Sequence, residues 1–155
     1  MGYIMELRKL VGSRPLLMAG ACVLLSNDGR LLLQRRTDNG CWGLPGGSME
    51  PGESATDTAA RELLEETGLA AKRLKLFEVF SGEELYYKYP NGDEVYNIVC
   101  AYLCTEYEGT LTVDGDEVQD LRFWSYGEIP GELSPPDRPV IQAFLQLNKF
   151  KACPP

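Results

Sequence analysis

Residues 47–69 read GSMEPGESATDTAARELLEETGL, and both ends of a helix are written into this stretch. Ser54 followed by Asp57 has the form of an N-cap with an acidic residue in the first turn, where the helix dipole favours negative charge. Gly68 followed by Leu69 has the form of a left-handed terminating glycine with an apolar contact residue behind it. The spacing therefore predicts a helix over 55–67, entered through a loop that runs from Gly46 and Gly47 to Glu53.

The charges within that helix are not spread as a solvated face would spread them. Glu62, Glu65 and Glu66 are three and four positions apart, so their carboxylates are expected to crowd on one side, with Ala59, Ala60, Leu63 and Leu64 on the other. Like charges at this spacing repel by roughly 0.2–0.5 kcal/mol per pair, which a helix has no structural reason to accept. A bound cation would reverse the sign. Carboxylate oxygens suit hard divalent ions, and magnesium takes one or two carboxylates and completes its shell with water and phosphate.

The stretch resembles the signature of the Nudix hydrolases, Gly-x5-Glu-x7-Arg-Glu-U-x-Glu-Glu-x-Gly-U with U aliphatic. Gly47, Glu53, Arg61, Glu62, Leu63, Glu65, Glu66, Gly68 and Leu69 fill every position. At average residue usage a chance match in such a chain has a probability on the order of 10⁻⁷. The resemblance implies metal-dependent hydrolysis of a phosphoanhydride in a nucleoside diphosphate linked to another moiety: a nucleoside triphosphate, dinucleoside polyphosphate or nucleotide sugar. It implies Mg²⁺, with Mn²⁺ as a substitute, held by Glu62, Glu65, Glu66 and the Gly46 carbonyl. Glu53 and Arg61 are expected to pair and hold the loop against the helix. Glu62, Arg61, Glu65 and Glu117 form the expected catalytic set, with the general base either Glu62 or Glu117. Pro45 restricts Leu44, and Gly46 and Gly47 are expected to turn the chain sharply and bring carbonyls to the metals.

Upstream, 3–11 places Ile4, Leu7, Leu10 and Val11 at helical spacing, with Gly12 and Pro15 after them. The apolar runs LLMAGACVLLS and RLLLQRR flank Asn27-Asp28-Gly29 and predict a hairpin of buried strands. Arg35 and Arg36 close the second run. The resemblance favours Arg35 as a substrate contact, although which of the two faces inward depends on register. Trp42, in the approach to the box, offers a π-face for a base.

Downstream, KLFEVF (75–80) predicts a strand, and 82–107 a long hairpin turning at Pro90-Asn91-Gly92-Asp93. Tyr86, Tyr87, Tyr89 and Tyr96 flank that turn, either as cross-strand packing or as a stacking platform, with Tyr86 or Tyr87 the candidate. The acidic loop 114–117 supplies Glu117, with Asp116 in reserve, as the further metal ligand or base that the resemblance implies. A strand through Phe123 and Trp124 follows. Pro135 and Pro136 precede a helix whose apolar side is Val140, Ile141, Phe144, Leu145 and Leu147. The tail KACPP is expected to be disordered.

With 155 residues, 44% of them hydrophobic, the chain suits one domain, placed at 1–150 with the tail at 151–155. The expected architecture is an α/β/α sandwich: a mixed sheet between the box helix and the C-terminal helix. Five cysteines without CxxC spacing predict neither a disulfide framework nor a zinc site. The absence of histidine excludes a Ser-His-Asp triad and histidine metal ligands, leaving carboxylates as proton acceptors. A net charge of -8 speaks against DNA and against an RNA 5′ end as partner, but not against a small phosphorylated nucleotide met by a metal. With no membrane-spanning run and no secretion signal, the expected compartment is the cytoplasm, the protein acting as a monomer or homodimer. The competing class is a ligand-binding regulatory domain without turnover, whose expected mark, loss of the carboxylates, is not found.

Overall fold

The computed structural model describes residues 2–113 and 115–152. In chain order it contains α1 (Tyr3–Val11), β1 (Leu16–Asn27), β2 (Arg30–Arg36), β3 (Trp42–Gly43), β4 (Gly46–Ser48), α2 (Ala55–Thr67), β5 (Leu69–Ala71), β6 (Lys75–Phe80), β7 (Tyr86–Lys88), β8 (Glu94–Cys104), β9 (Tyr107–Gly109), β10 (Val118–Ser125) and α3 (Arg138–Ala152). β1 and β2 join through a two-residue turn in which Asp28 (φ 54°) and Gly29 (φ 73°) are both left-handed, the geometry that matches strand twist in a tight hairpin.

β1 is the centre of a mixed sheet ordered β10-β2-β1-β8-β6. It runs parallel to β8 through ten pairs, from Leu16↔Val95 to Leu25↔Cys104, while its other pairings are antiparallel. Strand alternation then divides the core. Ala21, Val23, Leu25 and Leu32 pack with Ala59 and Leu63 of α2 on one face. Cys22, Leu24, Leu31 and Leu33 pack with Val140, Ile141 and Phe144 of α3 on the other. The expected α/β/α sandwich is the one observed.

α2 has the bounds its caps dictate: Ser54 and Asp57 form a reciprocal capping box, and Gly68 at φ 78° ends the helix with its N–H on the Leu64 carbonyl. One face differs from expectation, since Leu64 is 53% exposed while Ala59 and Leu63 are fully buried. The apolar stripe on a thirteen-residue helix is only as wide as the sheet it meets. Residues Leu69–Ala71 and Tyr107–Gly109 form a small separate ribbon that the apolar pattern does not announce. α3 reaches Ala152, so the first two residues of the expected disordered tail are helical; the rest of that tail and Asp114 lie outside the described residues. Cys22, Cys41, Cys100 and Cys104 are free. No helix among the described residues is long and apolar enough to cross a membrane.

Candidate active site

β1 and β2 pair only beside their turn, through Ser26↔Leu31 and Asn27↔Arg30. Further along they part, and each takes a short strand on its freed edge: β4 joins β1, with Ala21↔Gly47 and Cys22↔Gly46, and β3 joins β2, with Gln34↔Gly43. A cleft of about 520 Å³, within the range of small-molecule sites, lies at this divergence and is lined there by Cys22, Gln34, Gly46, Gly47, Glu62 and Glu66.

Gly46 and Gly47 are part of an extended strand and neither has a positive φ, which corrects the expectation of a sharp turn. What requires glycine is close approach. A Cβ on Gly46 would lie 2.4 Å from the Ala21 carbonyl oxygen, and one on Gly47 would lie 2.6 Å from the Glu62 carboxylate.

α2 brings Glu62 and Glu66, one turn apart, to the same wall of the cleft. Glu66 is buried and fully engaged: its Oε1 accepts the Gly46 N–H at 2.9 Å and its Oε2 accepts the Gln34 Nε2–H at 2.5 Å. Burial pushes its carboxyl up to about 8, against the pull of those two donors, and the neighbouring Glu62 adds to the rise. Burial raises Glu62 as well, opposed by Arg61. The two crowded carboxylates are therefore poorly solvated, which is the repulsion a cation relieves. Glu65 does not share that wall; its side chain is 58% exposed and meets Arg61 at 3.3 Å.

Arg61 ties these parts together. Its Nε and Nη2 donate to the two oxygens of Glu53 at 2.6 and 2.9 Å, its Nη1 to Glu62 at 2.8 Å, and its Nη2 also to the Ser48 carbonyl at 3.2 Å. Arg61, with help from the Glu50 N–H, holds the Glu53 carboxyl down to about 2. The loop after β4 is thus fastened to the first turns of α2, and Glu62 is held by a residue outside the cleft lining.

The donor set fits a divalent cation coordinated partly by substrate. Among the described residues no three acidic or thiol side chains converge into a complete cage, which matches magnesium's habit of using one or two carboxylates with water and phosphate. The two arginines lining the cleft are already engaged. Arg36 is bidentate on Asp38 at 2.9 and 2.8 Å, and Arg8 donates to the carbonyls of Gly12, Arg14 and Glu94. A phosphate chain entering beside Glu62 and Glu66 would meet net negative charge unless those glutamates held a cation. Glu117 lines the same cleft, its backbone carbonyl accepting from the Thr37 N–H at 3.1 Å, so the acidic loop is fastened to the end of β2.

Three expected substrate contacts are placed elsewhere. Trp42 is only 7% exposed and meets Trp124 edge-on at 5.1 Å, so it is a core residue without a free face for stacking. Arg35 is exposed and donates to the Gly40 carbonyl at 3.1 Å; Arg36, the next residue and hence on the opposite face of β2, lines the cleft instead. Tyr86 packs on Tyr96 at 5.2 Å and donates its hydroxyl to Glu94, outside the cleft lining. Tyr87 does line the cleft, edge-on to Tyr89 at 4.9 Å, and its hydroxyl accepts from the Asn39 amide at 2.7 Å.

Cleft residues that the sequence reading passed over include Gln34, Asn97 and Asp137. Gln34 carried a signal, as the one polar residue within the buried run Leu31–Gln34, and its Oε1 is buried without a partner among the described residues. Asp137 carried none. It stands before α3 and accepts the Leu44 N–H at 3.1 Å, and burial pushes its carboxyl up to about 6.

This arrangement can be set beside known proteins. The NUDIX domain family model matches residues 16–144. The chain is 32% identical, over 85% of its length and 78% of the other, to a candidate 8-oxo-dGTP diphosphatase of Bacillus subtilis. It is 33% identical to the nucleoside triphosphatase NudI of Escherichia fergusonii, over 66% of this chain and 77% of that one. It is 29% identical to an ADP-ribose pyrophosphatase of Methanocaldococcus jannaschii, over 69% and 61%. Among solved structures, the MutT NUDIX hydrolase of Burkholderia pseudomallei superposes with a TM-score of 0.68 at 28% identity, over 83% of this chain and 97% of that one. A complete signature sequence, a glutamate wall facing a cleft and a family match across most of the chain agree, and the chain belongs to the Nudix family as a hydrolase of MutT-like type.

Proposed function

We propose that the chain hydrolyses nucleoside triphosphates between the α and β phosphates, releasing a nucleoside monophosphate and pyrophosphate, with Mg²⁺ or Mn²⁺ as cofactor and the cytoplasm as its compartment. The observation that carries this is the paired, poorly solvated carboxylates of Glu62 and Glu66 in a cleft whose arginines are already engaged. Two of the three relatives above are named for nucleoside triphosphate substrates, which favours that class over ADP-ribose and dinucleoside polyphosphates.

Glu62, Glu66 and the Gly46 carbonyl would hold the cation, with Glu117 of the same cleft as a further ligand. The cation would neutralise phosphate charge and acidify a water. The residues of the chain supply the rest. Gln34 and the Gly46 N–H orient Glu66, and Arg61 orients Glu62 while Glu53 holds Arg61. A carboxylate, Glu62 or Glu117, accepts the proton of the water as its oxygen bonds to phosphorus and the anhydride P–O bond breaks towards the leaving phosphates.

The test is a panel of nucleoside triphosphates, ADP-ribose and dinucleoside polyphosphates with Mg²⁺, Mn²⁺ or chelator, with products separated by anion exchange. Pyrophosphate release from triphosphates that chelator abolishes is expected. Absence of turnover on every substrate with either metal overturns the proposal and favours a ligand-binding domain.

A further inference from the structure

We infer that α1 is a substrate-binding element, forming the wall of the cleft against which the nucleobase packs and so setting which nucleotides fit. This rests on the proposed nucleotide hydrolysis; α1, which ends at Val11, precedes the stretch 16–144 that the family model matches.

α1 does not serve the core, for none of its residues is buried. It is instead fastened at both ends to segments remote in sequence. The Tyr3 N–H donates to Glu50 Oε2 at 3.0 Å, in the loop between β4 and α2. At the other end the Arg8 guanidinium reaches the hairpin after β7, donating to the Glu94 carbonyl at 2.6 Å and lying 3.7 Å from the Asp93 carboxylate. Its other donors go to the carbonyls of Gly12 and Arg14 at 2.9 and 2.5 Å, which fixes the link between α1 and β1. Arg8 is thus a positioning residue rather than a free cation.

Held in this way, the helix turns Ile4 and Met5 to the cleft, where Met18, Val95 and Val99 supply further apolar surface. Met5 is 57% exposed, an apolar side chain at the rim of the cleft. Polar recognition is available in the same chamber. Asn97 is buried and lines the cleft, and its amide N–H donates to the Leu85 carbonyl at 3.1 Å, which fixes the side-chain amide. Apolar walls beside a fixed side-chain amide suit a planar heterocycle with polar edges, and a flexible thioether packs well on an aromatic ring. The phosphate end of such a ligand would then extend to Glu62 and Glu66 in the same cleft.

Two measurements on the full-length protein test this. In the first, methionine methyl groups labelled with ¹³C are followed by NMR as adenosine or guanosine 5′-monophosphate is added without metal. Ring-current shifts at Met5 and Met18, saturating together while Met49 stays in place, are expected; an unmoved Met5 at saturation overturns the inference. In the second, the Ile4→Ala/Met5→Ala double variant is compared with the parent on a nucleoside triphosphate and on its abasic sugar triphosphate. KM for the nucleotide should rise about tenfold with kcat retained, and KM for the abasic compound should not follow; equal changes on both substrates count against a base contact. Because the NMR shift needs no turnover, a Met5 response in a protein that hydrolyses nothing would uphold this site while removing the proposed reaction. Turnover with a silent Met5 would do the reverse.

Discussion

The carboxylate of Glu62 fills the space that a side chain at residue 47 would need: a Cβ built on Gly47 would lie 2.6 Å from both its Cδ and its Oε1. Gly47→Ala should therefore push Glu62 aside without disturbing the backbone, because a carboxylate at the end of a side chain can move. Displacing an oriented ligand typically costs 10–100-fold. We expect kcat to fall by about that factor with the melting temperature nearly unchanged. Gly46→Ala is the contrast, since its Cβ would meet the Ala21 carbonyl oxygen and Cys22 Cα at 2.4 and 2.8 Å. Thermal unfolding should show a loss on the order of 1–3 kcal/mol there. Equal melting temperatures for the two variants would contradict this division.

Glu66→Gln keeps the shape of the side chain and removes its charge, so turnover should fall at least about a hundredfold while the fold persists. The same change should abolish metal-linked stability. A cation that binds only the native state adds about 2.7 kcal/mol at a hundred times its Kd, so the parent's melting temperature should climb with Mg²⁺. A Glu66→Gln protein with the same Mg²⁺ response as the parent would remove Glu66 from the cation site.

Gln34 should behave as a positioning residue. Its amide holds Glu66 Oε2 at 2.5 Å; Gln34→Leu retains the volume but leaves that oxygen without its donor. Weaker Mn²⁺ binding, by about tenfold in an electron paramagnetic resonance titration, is the expected result. An unchanged Mn²⁺ affinity would reduce Gln34 to packing.

Asp137 should give stability a pH dependence. Its carboxyl is pushed up to about 6 by burial, and the groups facing it are Arg36, which lowers it, together with Tyr89 and Cys22. The unfolded carboxyl titrates near 3.9, so between about pH 4 and pH 6 the folded chain binds the extra proton. This group's contribution to stability then falls as pH rises through that window and stays low above it. Asn at 137 can still accept the Leu44 N–H without carrying charge. The Asp137→Asn variant should melt above the parent at pH 8 and together with it at pH 4; a variant less stable at pH 8 would show that the Arg36 attraction outweighs burial.

The hairpin tyrosines should separate in kinetics. Tyr87 lines the cleft and Tyr86 packs on Tyr96 outside it. Stacking is worth about 1–3 kcal/mol per base, so Tyr87→Ala should raise KM roughly ten- to a hundredfold with kcat retained, since the base is held equally in ground and transition states. Tyr86→Ala should leave KM alone and lose a little stability. The opposite ranking would return Tyr87 to cross-strand packing.

The reach of the sequence follows from the range of the forces involved. The bounds of α2 were legible because Ser54, Asp57 and Gly68 act on backbone groups within a turn of themselves. The Asn27-Asp28-Gly29 turn was legible for the same reason, and so were the buried strands on either side of it. The crowding of like charges over 62–66 was legible too, as a charge pattern that a bare helix does not favour.

Tertiary structure decided what depends on facing and on distant approach. A shift of one position along β2 separates Arg35, turned away, from Arg36, in the cleft, and nothing local to two adjacent arginines sets that register. Trp42 has the composition of a stacking residue, yet Trp124, eighty-two positions later in the chain, places it in the core. Gly46 and Gly47 were recognisable as glycines the chain needs, but the need is steric contact with β1 and Glu62 rather than a turn. Gln34 reaches Glu66, Leu44 reaches Asp137, and α1 reaches the cleft only once the sheet has formed. Local sequence acts through bonds a few residues long, whereas these contacts exist because a folded core brings remote segments within hydrogen-bonding distance.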